Sequence, residues 1–208
     1  MSALLVAMLS VLILPHVMVR WRIAVAALGM QGLLMGMLLL QYRPLDAHVT
    51  LPLVDLLVVR GVLVPLLLER AMRSRVGSRH GETVPLRLLS LALVTAIIVL
   101  AFGFARRLEP LGGEPQLQLA VAASTLLLGL YQLSMHTSTL WQAIGALTVE
   151  NAIALFALDD GLAGSALPGE VGLLAVFLVS VFLYAGFMKR LSPEDTASPI
   201  GDEEDVSL

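Results

Sequence analysis

Three ionisable residues in this chain sit in segments where water is scarce. Glu150, followed by Asn151, lies near the middle of STLWQAIGALTVENAIALFALD (138–159), which is otherwise almost wholly apolar. Asp55 and Arg60 lie inside a second apolar run, HVTLPLVDLLVVRGVLVPLLL (48–68), with Pro65 close behind. A charge held in a hydrocarbon layer costs roughly 3 kcal/mol on insertion scales, and more in simulations, unless it is paired, protonated or wetted. Burial favours the neutral carboxyl and a nearby guanidinium favours the carboxylate, so a shift of the partner loads or releases a proton. That is the chemistry of an ion path coupled to a distant event. The plainer alternative is an Arg60–Glu150 or Arg60–Asp55 pair that only fixes packing.

Five positions on an ideal α-helix amount to a rotation of about 140°, so Asp55 and Arg60 do not share a face. They pair directly only if the helix is distorted. Pro65 supplies a local cause, because it cannot donate to the carbonyl of Gly61. Otherwise each needs a partner on another helix. At about 1.5 Å per residue, Glu150 lies roughly 18 Å from the start of its helix, Arg60 roughly 12 Å and Asp55 roughly 20 Å from the same side. All three fall in the middle third of a bilayer, and they form a polar track if the two helices are neighbours.

The elements that must hold them are read from composition. The chain has 208 residues, of which 58% are hydrophobic and 14% charged, whereas soluble domains carry nearer a quarter charged. Seven apolar stretches, at about 2–19, 23–42, 48–68, 86–105, 117–135, 139–158 and 170–187, are each near the length of a membrane span. The fold class expected is all-α, a polytopic membrane domain over 1–190 followed by an acidic, disordered cytoplasmic tail over 191–208. The run MSALLVAMLSVLIL lacks the basic start and small-residue cleavage site of a signal peptide, and reads as the first membrane helix. Gly29, Gly32 and Gly36 on the second stretch have the small-residue spacing of close helix packing, and Gln31 beside them reads as an interhelical hydrogen bond.

Other classes fall away. With no cysteine, the chain has no disulfide, thiolate metal site or cysteine nucleophile. The net charge of −3 comes largely from the tail and gives no sign of nucleic-acid binding. His16, His48, His80 and His136 fall at loops or helix ends without metal-ligand spacing. His136, beside the start of the sixth helix, is a candidate for proton uptake. No phosphate loop or nucleophile elbow is present, so no catalytic centre is expected on this chain. Across seven spans, nine Lys and Arg fall on one side (Arg20, Arg22, Arg70, Arg73, Arg75, Arg79, Arg87, Lys189, Arg190) and three on the other (Arg43, Arg106, Arg107). The positive-inside rule then puts the N-terminus outside and the C-terminus in the cytoplasm.

The segment GLYQLSMHTSTLWQAIGALTVENAIALFAL (129–158) resembles the K subunit of bacterial complex I, with Gly145 and Asn151 in register. The glutamate of that pattern falls at Leu147, whereas this chain carries Glu150. A glutamate directly before the asparagine instead resembles the hydrogenase-4 component E family. The run from Arg60 through Gly61 to Pro65 is similar to that family's K-G-V-L-I/V-P stretch, with arginine for lysine. Both relatives tend to bear an acid in the seventh helix, where this chain has Val176. Asp55 lies outside the family pattern and stands as a candidate for the missing carboxylate. The resemblance implies a membrane-arm subunit of a complex-I-like, redox-driven proton- or ion-translocating assembly in the bacterial cytoplasmic membrane. Group-4 nickel–iron hydrogenase and formate hydrogenlyase complexes are of this type. Its partners would be antiporter-like and other membrane-arm subunits, with nickel–iron and iron–sulfur centres in partner subunits and no cofactor on this chain. Glu150 would be the proton-path carboxylate and Arg60 the counterpart of the intramembrane lysine. A subunit of a multi-subunit cation/proton antiporter, or a membrane scaffold, is the rival reading.

Overall fold

The computed structural model of the chain describes residues 2–18, 20–43, 47–73, 88–108, 113–136, 138–159 and 167–190. Every regular element among them is helical. These are α1 (Ser2–Val17), α2 (Trp21–Tyr42), α3 (Ala47–Val54), a π-helical segment (Asp55–Leu63), α4 (Val64–Arg73), α5 (Leu88–Ala105), α6 (Glu114–Met135), α7 (Thr139–Asp159) and α8 (Leu167–Arg190). The helix expected over 48–68 is thus one rod of three pieces, and it stays helical through Arg73, where a connection was expected from Glu69. The expected tail, Arg75, Arg79, Arg87, His80 and the side chain of His48 lie outside the described residues.

Helices suit this sequence because a long apolar segment must satisfy its backbone polar groups internally. The small hydroxyl side chains follow the same rule. Ser124, Thr125 and Thr148 are buried and each donates to the carbonyl four residues back, at 2.7, 2.7 and 2.8 Å. Gly113, with φ of 72°, turns the chain into α6, and Pro115 occupies its first turn. Trp21–Tyr42, Val49–Met72, Glu114–Met135 and Thr139–Leu158 are long and apolar enough to cross a membrane. Ala3–Val17, Leu89–Ala105 and Leu174–Phe187 are shorter apolar helices.

α2 packs against α1, the π-helical segment, α4 and α7, while α7 packs against α6, α2 and α8. Two apolar cores result around these helices, and a third, of Leu12, Val94 and Leu128, joins α1, α5 and α6. Of the first two, one gathers Leu28, Val64, Leu68, Ile144, Leu147, Phe177 and Val181. The other gathers Leu5, Met8, Met35, Leu38, Leu56, Val121 and Leu155. Gln31 lies between Leu28 and Met35, Arg60 between Leu56 and Val64, and Asn151 between Leu147 and Leu155. A polar layer therefore separates the two cores at mid-height of three rods. The outer faces of α5 and α8 are apolar, with Leu89, Val99, Leu100, Val176, Phe182 and Leu183 all exposed.

Glycine sets how close the rods come. A Cβ on Gly32 would stand 2.8 Å from the Gly61 amide nitrogen and 2.9 Å from the Arg60 carbonyl carbon. One on Gly29 would meet the Gly61 oxygen at 2.8 Å and Pro65 Cγ at 2.6 Å. The close packing expected of this glycine row is realised against the π-helical segment and Pro65. Gly145 does the same at the α6–α7 crossing, where its Cβ would be 3.1 Å from the oxygen of Gly129.

Candidate functional site

The π-helical segment decides the site. Its hydrogen bonds skip one residue more than those of an α-helix, as where the Val64 amide donates to Val59 rather than to Arg60. That wider turn brings side chains five apart into near register. Arg60 Nε donates to Asp55 Oδ2 at 2.9 Å, and the two residues are 6% and 15% exposed. The pair that an α-helix forbids is formed by a change of helix type, upstream of Pro65, which has no amide for the carbonyl of Gly61. Of the two acids open to Arg60, Asp55 holds the ion pair.

The rest of the guanidinium reaches across the molecule. Arg60 Nη1 donates to Asn151 Oδ1 at 2.9 Å, and Asn151 Nδ2 donates in turn to Gln31 Oε1 at 3.3 Å. The Phe177 ring lies against the guanidinium, with its centroid 3.8 Å from Cζ, a cation–π contact strengthened by the burial of Arg60. A charge-assisted relay from Asp55 through Arg60 and Asn151 to Gln31 thus links the π-helical segment, α7 and α2, and α8 closes it with an aromatic face. Unlike the buried serine and threonines, Arg60, Asn151 and Gln31 are bonded to one another between helices.

Glu150 lies beside this relay. The Ser180 hydroxyl is within its hydrogen-bonding reach, and the charges of Arg60 and Asp55 act on it. Two carboxylate oxygens at the site, Asp55 Oδ1 and Glu150 Oε2, are buried without a hydrogen-bond partner among the described residues. These residues form a polar row in which the two helices meet through the Arg60 side chain rather than by backbone packing. It contains one cation, two acids and two bare acceptor oxygens. Such a set can hold and pass a proton.

Neither a family model, nor a curated protein, nor a solved structure matches this chain. The geometry of the site itself therefore carries the functional reading.

Asp55 and Arg60 pair directly and Arg60 reaches Asn151, the residue after Glu150, but His136 does not join them. It caps the end of α6, with Nδ1 3.2 Å from the Gln132 carbonyl oxygen and its ring stacked on Trp141 at 5.1 Å. Trp141 precedes Glu150 by roughly 14 Å along α7. Asn151, expected to serve packing, is an acceptor for Arg60, and Gln31 makes the expected interhelical bond. Phe177 and Ser180 were not anticipated. Val176, the position expected to align with a family acid, faces outward at 63% exposure, and the residue after it turns inward to the arginine. Among the described residues no three acids or histidines gather as a metal site.

Proposed function

We propose that the chain is a membrane-arm subunit of a complex-I-like, redox-driven proton- or ion-translocating complex of the group-4 hydrogenase type. In this reading all seven helices cross the bacterial cytoplasmic membrane, with the N-terminus outside and the C-terminus in the cytoplasm. Antiporter-like subunits flank the chain, and the nickel–iron and iron–sulfur centres belong to its partners. Glu150 is the proton-carrying group of this subunit. The observation that supports the reading best is the buried relay from Asp55 through Arg60 to Asn151, with Glu150 and its unpartnered Oε2 alongside. A group kept only for packing would be expected to have both carboxylate oxygens satisfied.

One observation favours a structural role for Arg60 itself. Asp55, Asn151 and Phe177 enclose it on three sides, as in a fixed strut. The test is Glu150→Gln in membrane vesicles, with proton pumping measured against redox turnover and assembly checked in the same sample. Assembly with at least tenfold slower pumping is the expected outcome. Normal pumping with normal assembly would leave the chain as scaffold.

A further inference from the structure

The relay has one permanent positive charge and two acids. Arg60 cannot lose its proton in a protein, so it neutralises one carboxylate and leaves the second without a counter-charge. Among the described residues no other base lies at this depth on the packed elements. α2 contributes Gln31, α6 carries Glu114 and Tyr131 near its two ends, and α8 places Tyr184 one turn beyond Ser180. The two acids stand differently toward the guanidinium. Asp55 is bound to it directly. Glu150 precedes Asn151, which accepts from Nη1, and α8 presents Phe177 to Arg60 and Ser180 to Glu150 from positions three apart on one face.

We propose that Asp55, Arg60 and Glu150 form a one-proton triad, in which the arginine neutralises one acid and the other carries the single proton. This rests on the proposed transport role and names its cargo as H⁺. In the arrangement observed, Asp55 is the ionised member and Glu150 the neutral one. Each acid has one bare oxygen, but Asp55 Oδ2 accepts a charged hydrogen bond from Arg60, whereas the neighbour of Glu150 is a hydroxyl. In the alternative state the Glu150 O–H bond breaks, an Asp55 O–H bond forms, and the guanidinium changes partner. The triad's net charge is the same in both states, so the proton moves without leaving an uncompensated carboxylate in the apolar layer. The π-helical turn holds the first state, because five positions on an α-helix would turn Asp55 away from Arg60. Asp55 is thus the acid that determines whether Glu150 is loaded.

Infrared absorption of the full chain in lipid vesicles at neutral pH tests this directly, through the neutral-carboxyl stretching band compared with wild type. Glu150→Gln removes one carboxyl's worth of the band. Asp55→Asn removes the same amount, because Glu150 then ionises against Arg60 although it is itself unchanged. Arg60→Gln adds one carboxyl, and Arg60→Lys leaves the band as in wild type. A full-strength Glu150 band in Asp55→Asn, or no gain in Arg60→Gln, would overturn the triad. If Asp55→Asn does not fold, the comparison of Arg60→Gln with Arg60→Lys decides it. Transport is judged separately. Loss of pumping in Glu150→Gln with the wrong band pattern refutes the triad alone, and the right pattern with intact pumping refutes the transport role.

Discussion

Arg60 has three kinds of neighbour, and they are not equal in energy. Leaving a buried charge without its ion-pair partner costs about 3–5 kcal/mol. Losing a hydrogen bond to a charged group costs about 1.5–3 kcal/mol. Side-chain hydrogen bonds between membrane helices average about 0.6 kcal/mol. Because Glu150 can replace Asp55 as the counter-charge, the full ion-pair cost falls on the double variant Asp55→Asn/Glu150→Gln. That variant is expected to destabilise the chain most, Asn151→Ala less and Gln31→Leu least, as measured by denaturant unfolding in detergent. A reversed order would show that the relay is held from the α2 side. At this scale the sequence was partly legible. Glu150, Asp55 and Arg60 stood out because charges in apolar runs are costly. Phe177 did not, because nothing in the string separates a phenylalanine facing an arginine from Phe182 and Phe187, which are exposed on the same helix.

The rods themselves were readable to within a few residues, since apolar runs of spanning length leave few alternatives. The π-helical segment was not. Periodicity presumes one helix type, and the only cue was a proline four residues beyond Gly61 together with a spacing that made no sense on an α-helix. Removing one residue tests the role of the wide turn. Val58 and Val62 are both outward-facing, at 54% and 48% exposure, and deleting either is expected to narrow the segment to α-helix. Without Val58 the aspartate and arginine stand four apart on one face and the pair survives. Without Val62 they remain five apart and the pair is lost, so this variant should have the lower melting temperature in detergent. The glycine row makes a second prediction at this scale. Gly32→Ala drives a methyl group into the backbone at Gly61 and should cost about 1–3 kcal/mol. Gly103→Ala, with nothing within 4 Å, should be neutral in the same unfolding assay.

For the molecule as a whole, the arrangement that matters is the polar layer between two apolar cores. It was only half legible, because depth along each helix can be counted from its ends whereas adjacency cannot. Counting put Glu150, Arg60 and Asp55 at similar height. That α2 lies between the rods that carry Arg60 and Asn151, and that α8 closes the group, depends on contacts among distant residues. The backbone-to-backbone seam of α2 with the π-helical segment gives this layer a mechanical character. Where helices meet through long side chains, a push on one is absorbed by rotamer changes before the other feels it. At Gly29 and Gly32 there is no such cushion, so α2 and the arginine-bearing turn behave as a single stiff lever. A neighbouring subunit pressing on the end of α2 would displace Arg60 without touching it.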